Sequence, residues 1–231
     1  MSKKGIGLAL GSGGAKGLAH IGVLKTLTKN DIPVCCVAGT SIGALIGGLF
    51  ASGMSVDQME EIACETDWFD VARIFVPKFQ SGAIFGSRYV KDFIEALVGD
   101  TDFSDLKIPF TAVATDLSQG DEILITRGSL AQAILASTAI PGIFAPVESE
   151  SKSLLVDGGL KNPLPVDVVQ MMDAAFTIGI NVTTPRDLNV KKQKVRSRVK
   201  TGFSNIASTS GILKERLSKY ISRGENLFNE R

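Results

Sequence analysis

Histidine is almost absent from this sequence, since its 231 residues contain only His20. A Ser-His-Asp triad needs a histidine as general base, so a nucleophilic serine here must use His20 or work without one. Cysteine is also sparse, and the spacing of Cys35, Cys36 and Cys64 is not that of metal ligands. An odd count without a disulfide pattern favours a reducing, cytoplasmic setting. We therefore expect neither disulfides nor a metal site.

Long apolar runs are missing as well. The longest covers residues 44–51, is far shorter than a membrane span and is split by Gly47 and Gly48. Near the amino terminus, the apolar run 6–10 is too short for a signal peptide. We therefore expect any membrane contact to be peripheral.

Charge is unevenly distributed although the net charge is only +1. Residues 186–231 hold 12 Lys and Arg against 4 Asp and Glu, whereas residues 1–185 hold 13 against 20. Such a basic segment contacts anionic lipid, nucleic acid or an acidic partner, or it is the solvated face of a helix. We predict a globular domain over 1–185 and a basic, helical extension over 186–231. For the extension we expect contact with the inner membrane surface or a partner protein rather than nucleic acid.

Apolar runs followed by glycine turns and helix-compatible sequence recur along the chain. The run 6–10 precedes a helix predicted over 15–29, and the run 34–38 precedes a helix of small residues. Repeated strand–turn–helix units predict a parallel sheet, and strands that are apolar throughout predict helices over both faces. The fold class is therefore α/β, with three α/β/α layers and a mostly parallel central sheet. Further strands are predicted at 110–116, 122–126, 154–156 and 176–180, and further helices at 129–137 and 206–222.

An aromatic-rich stretch covers residues 68–85 and contains four of the twelve phenylalanines. Its apolar residues alternate irregularly with glycine and proline, so no regular element is predicted. Two interpretations stay open: a segment of the core, or an apolar lid over a pocket.

The segment Gly39-Thr40-Ser41-Ile42-Gly43 lies between the second apolar run and the small-residue helix. A nucleophilic serine on a sharp strand-to-helix turn is typically flanked by glycines two residues before and after it, because side chains there would clash. The helix that begins at Ser41 directs its first N–H groups, including that of Ile42, at negative charge on a substrate oxygen. We predict Ser41 as a nucleophile; the alternative is a helix-capping serine between packing glycines.

A second glycine-rich turn, Gly11-Ser12-Gly13-Gly14-Ala15-Lys16-Gly17, joins the first apolar run to the first helix. Such a turn presents backbone N–H groups to an anion, either a phosphate or the oxyanion of a tetrahedral intermediate. It lacks the dinucleotide pattern, because Lys16 stands at the sixth position, and the Walker pattern, because Gly17 follows that lysine. Near Ser41 an oxyanion hole is favoured over a turn that serves packing alone. The Lys16 side chain either faces solvent or orients the turn.

The proton acceptor for Ser41 has two candidates. His20 lies on the first predicted helix, and its ring would have to reach back over most of a helical turn. Asp157 ends an apolar run and is followed by Gly158 and Gly159, at the strand end where α/β sheets place functional residues. A carboxylate in a poorly solvated cleft accepts a serine proton when its pKa rises. We favour Asp157 as the base and expect His20 to be packed and hydrogen-bonded.

These three segments occur in the order found in the patatin-like phospholipase family, and the chain resembles its small bacterial members over about residues 5–182. Residues 137–144, Ser-Thr-Ala-Ile-Pro-Gly-Ile-Phe, resemble the family segment that packs near the active site. The resemblance implies a dyad of Ser41 and Asp157 without histidine, and Gly13 and Gly14 as oxyanion-hole donors. Ser12 stands where the family commonly has glycine, and its backbone N–H is a further candidate donor.

The combination predicts a serine acyl hydrolase that cleaves lipid esters, of the phospholipase A or lysophospholipase type, through an acyl-enzyme intermediate. No metal or organic cofactor is expected. The alternatives are an acyltransferase that uses the same serine, and a non-catalytic nucleotide or anion sensor built on the glycine-rich turn. The aromatic stretch would line or cap an acyl-chain channel, and association between copies stays open.

Overall fold

Strands and helices are interspersed along the chain. The computed structural model describes residues 3–65 and 82–183. The strands are β1 (Lys3–Leu10), β2 (Val34–Thr40), β3 (Phe110–Asp116), β4 (Glu122–Ile125), β5 (Val147–Glu148), β6 (Leu154–Asp157) and β7 (Ala174–Ile180). The α-helices are α1 (Ala19–Lys29), α2 (Ile42–Ser52), α3 (Val56–Glu65), α4 (Gly82–Val98), α5 (Leu130–Thr138) and α6 (Val166–Gln170). Short 3-10 helices cover Gly14–Leu18, Phe103–Asp105 and Gly158–Leu160.

Within the described residues the strands form one seven-stranded sheet in the order β5-β6-β3-β2-β1-β7, and β4 also pairs with β3. The pairs β1–β2, β1–β7 and β2–β3 are parallel. By contrast, β4 and β6 each pair antiparallel with β3, and β5 pairs antiparallel with β6. In this sheet five strands therefore run one way and two, β4 and β6, run the other way. The predicted mostly parallel sheet is confirmed.

Helices cover both faces of the sheet. Leu8 and Leu10 of β1 pack into an apolar cluster that includes residues of α1, α2 and α5. Ala9, between them, belongs to a second cluster with Val168 and Val169 of α6. Because successive side chains of a strand point to opposite faces, the two clusters lie on opposite sides of the sheet. The predicted three-layer arrangement is thus confirmed.

Most predicted elements are present, and their ends differ for local reasons. The strand predicted at 110–116 is β3, with both ends as predicted. The helix predicted over 15–29 begins only at Ala19, because a 3-10 helix containing Gly14 and Gly17 precedes it and glycine disfavours the α-helix. Four elements were not predicted from the sequence: α3, α4, β5 and α6. α4 begins inside the aromatic-rich stretch, where apolar residues alternate irregularly with glycine and proline. β5 has two residues and α6 five, too few for a hydrophobic period, and α3 buries only Val56 and Met59.

Three sequence predictions lie wholly or partly outside the described residues. They are the boundary at 185, the helix at 206–222, and most of the aromatic stretch, of which residues 68–81 are not described. The end of that stretch, residues 82–85, belongs to α4. No helix within 3–65 or 82–183 is both long enough and apolar enough to cross a bilayer.

Replacing Leu24 with alanine tests the core beneath α1. Its side chain is fully buried in the cluster that joins this helix to the sheet. We expect the free energy of unfolding to fall by about 2–5 kcal/mol, because apolar burial is lost and a cavity remains. Leu27→Ala, on the same helix but only partly buried, is the matched control and should cost less. Denaturant unfolding followed by circular dichroism measures the free energy of unfolding of both variants. Equal decreases for the two variants would contradict this packing.

Candidate active site

Strands β2 and β6 meet end to end along one edge of β3. The β2 pairing ends at Thr40 opposite Val113, and β6, running the other way, ends at Asp157 opposite Ala114. Strand β4 overlaps both pairings and therefore occupies the other edge of β3. Because Val113 and Ala114 are consecutive, the last residues of β2 and β6 are neighbours. Ser41 directly follows β2, so this topology brings it to Asp157.

Ser41 and Asp157 share a hydrogen bond at this junction. Ser41 Oγ donates to Asp157 Oδ2 at 2.6 Å, and the two residues are only 8% and 7% exposed. The other carboxylate oxygen, Oδ1, accepts the Gly159 N–H at 2.7 Å. The Asp157 backbone is held as well: its N–H donates to the Ala139 carbonyl at 2.9 Å, and its carbonyl accepts from Thr115 Oγ1 at 3.1 Å.

The two buried aspartates in this part of the sheet have opposite environments. Burial raises the pKa of Asp157, and the hydrogen bonds from Ser41 and Gly159 oppose this rise. Asp116, at the end of β3, is also buried, but hydrogen bonds from the side chain and N–H of Ser118 and from the Gln119 N–H lower its pKa to about 2. Asp116 is therefore a poor proton acceptor, whereas Asp157 is the stronger base.

The backbone of Ser41 adopts φ 56° and ψ −122°. Residues with a side chain rarely populate this region, because it costs about 1–3 kcal/mol and persists only where the surrounding structure holds it. The two flanking glycines make the turn sterically feasible. A Cβ on Gly39 would lie 2.3 Å from the Gly43 carbonyl oxygen, and a Cβ on Gly43 would lie 2.0 Å from that of Leu10. Both glycines are required because the backbone approaches so closely.

The glycine-rich turn lies against the same junction. A Cβ on Gly17 would lie 2.2 Å from Ile42 Cγ2, at the start of α2. A Cβ on Gly159 would lie 3.4 Å from Ser12 Cβ. The turn 11–17, the Ser41 segment and the Asp-Gly-Gly segment, which are distant in sequence, therefore converge.

The candidate oxyanion donors differ in what their N–H groups contact. The Ser12 N–H donates to the Pro163 carbonyl at 2.8 Å, so it is already engaged and the prediction of Ser12 as a donor is corrected. The N–H groups of Gly13, Gly14 and Ile42 have no acceptor in the part of the chain that the structure describes. That of Ile42 is the first of α2, where helix geometry leaves the N–H unpaired.

Two side chains, one next to the glycine-rich turn and one within it, were considered as site residues. His20 is fully buried, and its Nε2 donates to the Gly11 carbonyl at 2.8 Å, so the ring is packed and hydrogen-bonded as predicted. Its Nδ1 has no partner among the described residues, and burial lowers the pKa of this histidine although the Gly11 hydrogen bond opposes the change. The Lys16 side chain is exposed, and its backbone N–H closes the turn by donating to the Gly13 carbonyl at 3.3 Å.

Ser137 is a site residue to which sequence reasoning assigned no individual role. Its Oγ accepts the Ser41 N–H at 2.8 Å and donates to the Val113 carbonyl at 2.6 Å. The sequence does carry a signal for it, because this fully buried serine follows the apolar residues 133–136 of α5. A hydroxyl in such a position needs hydrogen-bond partners.

An apolar cavity of about 370 Å³ lies beside α5. Thr138 and Ala139, which directly follow Ser137, line this cavity, whereas Ser41 and Asp157 are not among its lining residues. The remaining lining residues of the cavity are Val90, Lys91, Gln132, Leu135, Phe144, Ala145, Pro146, Val147 and Glu148.

Within the described ranges, no cluster of His, Cys, Asp or Glu is suited to hold a metal ion.

The sequence matches the family described as patatin-like phospholipase over residues 8–169. An uncharacterised NTE family protein of Mycobacterium tuberculosis is 38% identical over 177 residues, which are 77% of this chain and 49% of that protein. The neuropathy target esterase sws of Drosophila melanogaster is 35% identical over 191 residues, which cover 80% of this chain and 13% of that protein. This chain therefore spans about half the length of the mycobacterial relative and much less of the fly protein.

Among solved structures, VipD from Legionella pneumophila is similar over 69% of this chain and 46% of that chain, with a TM-score of 0.48 and 15% sequence identity.

The region that matches the family covers more than two thirds of the 231 residues. It includes the glycine-rich turn, Ser41 and Asp157. The chain therefore belongs to the patatin-like phospholipase family.

Proposed function

We propose that this protein is a serine acyl hydrolase for lipid esters, of the phospholipase A or lysophospholipase type, with Ser41 as nucleophile and Asp157 as base. The observation that carries the proposal is the 2.6 Å hydrogen bond from Ser41 Oγ to Asp157 Oδ2. Covalent catalysis requires a nucleophile and a base within hydrogen-bond reach of each other. Membership of the family and the NTE relatives support the same reaction class.

In the proposed reaction, Asp157 takes the hydroxyl proton as Ser41 Oγ attacks the ester carbonyl. The raised pKa of Asp157 favours this transfer, because a base is most effective when its pKa lies near the working pH. Protonated Asp157 then gives the proton to the departing alcohol, which leaves an acyl group on Ser41 Oγ. Water, deprotonated by the same carboxylate, releases the acid and restores Ser41.

The negative charge of the tetrahedral intermediate is bound, in this proposal, by the N–H groups of Gly13, Gly14 and Ile42. The support is that none of the three has an acceptor among the described residues. Since the Ile42 N–H begins α2, the helix dipole adds to the attraction. Ser12 is left out because its N–H is engaged by Pro163. In this proposal Lys16, Gly11 and Gly17 shape the turn and do not donate hydrogen bonds to the oxyanion.

A lipid substrate is supported by the cavity beside α5. Its volume of about 370 Å³ is in the range of ligand pockets. Leu135, Phe144 and Val147 are among its apolar lining residues, which would exchange water for an acyl chain at a favourable free energy. We therefore propose that the acyl chain of the substrate occupies this cavity, while the ester carbonyl lies at Ser41.

Removing either member of the dyad should abolish turnover. Ser41→Ala should lose covalent labelling by a fluorophosphonate and lower ester hydrolysis by about 10⁴-fold or more, and Asp157→Asn should lower hydrolysis by about 10³–10⁴-fold. Gel fluorescence and a chromogenic ester assay measure these effects. Ser151→Ala and Asp57→Asn alter exposed residues and should behave as wild type. Labelling of Ser41→Ala, or full turnover by Asp157→Asn, would overturn the dyad.

Product analysis separates hydrolysis from its alternatives. Wild type and Ser41→Ala are incubated with phospholipid, lysophospholipid and neutral lipid, and products are identified by mass spectrometry. Free fatty acid formed only by the wild type supports the hydrolase. Acyl transfer to an added alcohol or thiol in preference to water would indicate a transferase. Nucleotide binding without ester cleavage, and insensitive to Ser41 substitution, would indicate a sensor.

The raised pKa of Asp157 also predicts a pH-dependent cost in stability. Because the folded-state pKa lies above the unfolded value of about 3.9, wild-type stability falls as pH rises from that value through the folded pKa. Asp157→Asn removes the buried charge and keeps an oxygen for the Gly159 N–H. We expect this variant to have a higher Tm than wild type at pH 7–8, by about 2–4 °C per kcal/mol recovered.

The advantage of Asp157→Asn should disappear below about pH 4, where the wild-type carboxyl is protonated. Calorimetry from about pH 3 to about pH 8 measures the difference in Tm between the variant and wild type. Asp57→Asn removes a carboxylate whose side chain is 86% exposed and should not raise the Tm. A lower Tm for Asp157→Asn at neutral pH would contradict the desolvation of this group.

We further propose that residues 186–231 form a basic extension of the catalytic region 1–185 and contact anionic lipid. The support is their composition, since they contain 12 basic residues and only 4 acidic ones. Each basic side chain near an anionic bilayer contributes about 1 kcal/mol, an attraction that salt weakens.

Neutralising the densest part of this region tests the proposal. In the full chain, glutamine replaces the basic residues Lys191, Lys192, Lys194, Arg196, Arg198 and Lys200. Sedimentation with phosphatidylglycerol vesicles should fall by about tenfold or more at low salt, while weak binding to phosphatidylcholine stays unchanged. Exchange of Lys and Arg at the same positions keeps the charge and is the matched control. Equal sedimentation of the glutamine variant and wild type would overturn the lipid contact.

A further inference from the structure

The carbonyl of Val113 lies at the point where β2 and β6 meet. Val113 pairs with Thr40, the last residue of β2, and the next residue of β3, Ala114, pairs with Asp157. Gly158 passes so close that a Cβ on it would lie 2.2 Å from the Val113 carbonyl oxygen. Gly158 therefore has no room for a side chain beside this carbonyl.

The hydroxyl of Ser137 also contacts this carbonyl. It donates to the Val113 carbonyl at 2.6 Å and accepts the Ser41 N–H at 2.8 Å. Serine carries the smallest side chain that both donates and accepts a hydrogen bond. Ser137 is fully buried, so the two contacts are shielded from water. One side chain therefore links the amide of Ser41 to the central strand β3.

We propose that Ser137 is a positioning residue that holds Ser41 in the conformation that directs its hydroxyl at Asp157; this inference rests on the proposed function. The φ of 56° at Ser41 persists only where the surroundings hold it. The Ser41 carbonyl accepts from Ala44 and Leu45 in the first turn of α2, and its Oγ donates to Asp157. Among the described residues its N–H donates to Ser137 alone, so this hydroxyl provides the third point of attachment.

The end of α5 also holds the other member of the dyad. Ala139, two residues after Ser137, accepts the Asp157 N–H at 2.9 Å. The amides of nucleophile and base are thus bound by one short segment, residues 137–139, which keeps their separation constant. Loss of the Ser137 hydroxyl frees the Ser41 side of this attachment and leaves the Asp157 side in place. The expected defect is therefore in the reactivity of Ser41 and not in the binding of substrate.

The test is the rate at which Ser41 reacts in Ser137→Ala. We expect fluorophosphonate labelling and kcat to fall by about 10- to 100-fold, because a small displacement of a reacting group has effects of this size. KM should stay within about twofold, since the substrate cavity is unchanged. Ser137→Cys keeps a side chain of similar shape with a weaker donor and acceptor, and its rates should lie between those of wild type and Ser137→Ala.

Two controls separate positioning from a general loss of stability. Ser52→Ala removes a hydroxyl at the far end of α2, which donates to the Leu49 carbonyl at 2.8 Å, and Leu24→Ala destabilises the core. Each variant is assayed at a temperature where circular dichroism shows it folded. Both controls should label within about threefold of wild type.

Labelling of folded Ser137→Ala within about threefold of the wild-type rate would overturn the inference, as would a fall in rate shared equally by the two controls. If Ser137→Ala does not fold, labelling of folded Ser137→Cys at the same rate as wild type would overturn the inference. If the wild type does not label at all, the proposed function itself is wrong. If the wild type labels and the Ser137 variants label equally fast, only the positioning role of Ser137 is wrong.

Discussion

The antiparallel pairing of β6 with the last residues of β3 determines the geometry of the site. In a wholly parallel sheet the carboxyl ends of neighbouring strands lie side by side, about 4.8 Å apart along the hydrogen-bonding direction. Here β2 and β6 occupy the same edge of β3 from opposite directions and meet end to end. Two short side chains, Ser41 and Asp157, therefore reach each other at 2.6 Å inside the protein.

Several unfavourable features are concentrated at this junction. A carboxyl group is removed from water, and a residue with a side chain adopts a left-handed backbone conformation. The apolar clusters on both faces of the sheet, and the hydrogen bonds that Ser137 and Ala139 accept from this junction, keep these features in place. Functional groups that carry such costs are a common reason why catalytic proteins are less stable than their cores would allow. The burial that raises the pKa of Asp157 is the same burial that weakens the folded state at neutral pH.

Much of the architecture was predictable, because alternating glycine turns and apolar runs determine a parallel α/β sheet. The approach of Asp157 to Ser41 was predictable from their places at strand ends, although the two are 116 residues apart. The engagement of the Ser12 N–H by Pro163 was not predictable, because it depends on a backbone contact across 151 residues that no pattern encodes. The role of Ser137 depends in the same way on the register of β2 and β6 against β3. Sequence periodicity indicates the face of a strand but not its partner.

The distance in sequence between Ser41 and Asp157 has a consequence during synthesis. At ribosomal rates of about 5–20 residues per second, Ser41 is made roughly 6–23 s before Asp157. Late in that interval the nascent chain contains Ser41, the glycine-rich turn and β3, but not yet the complete strand β6. The hydrogen bond between Ser41 and Asp157 therefore forms in one late step, when β6 joins the sheet, so an incompletely translated chain lacks this pair.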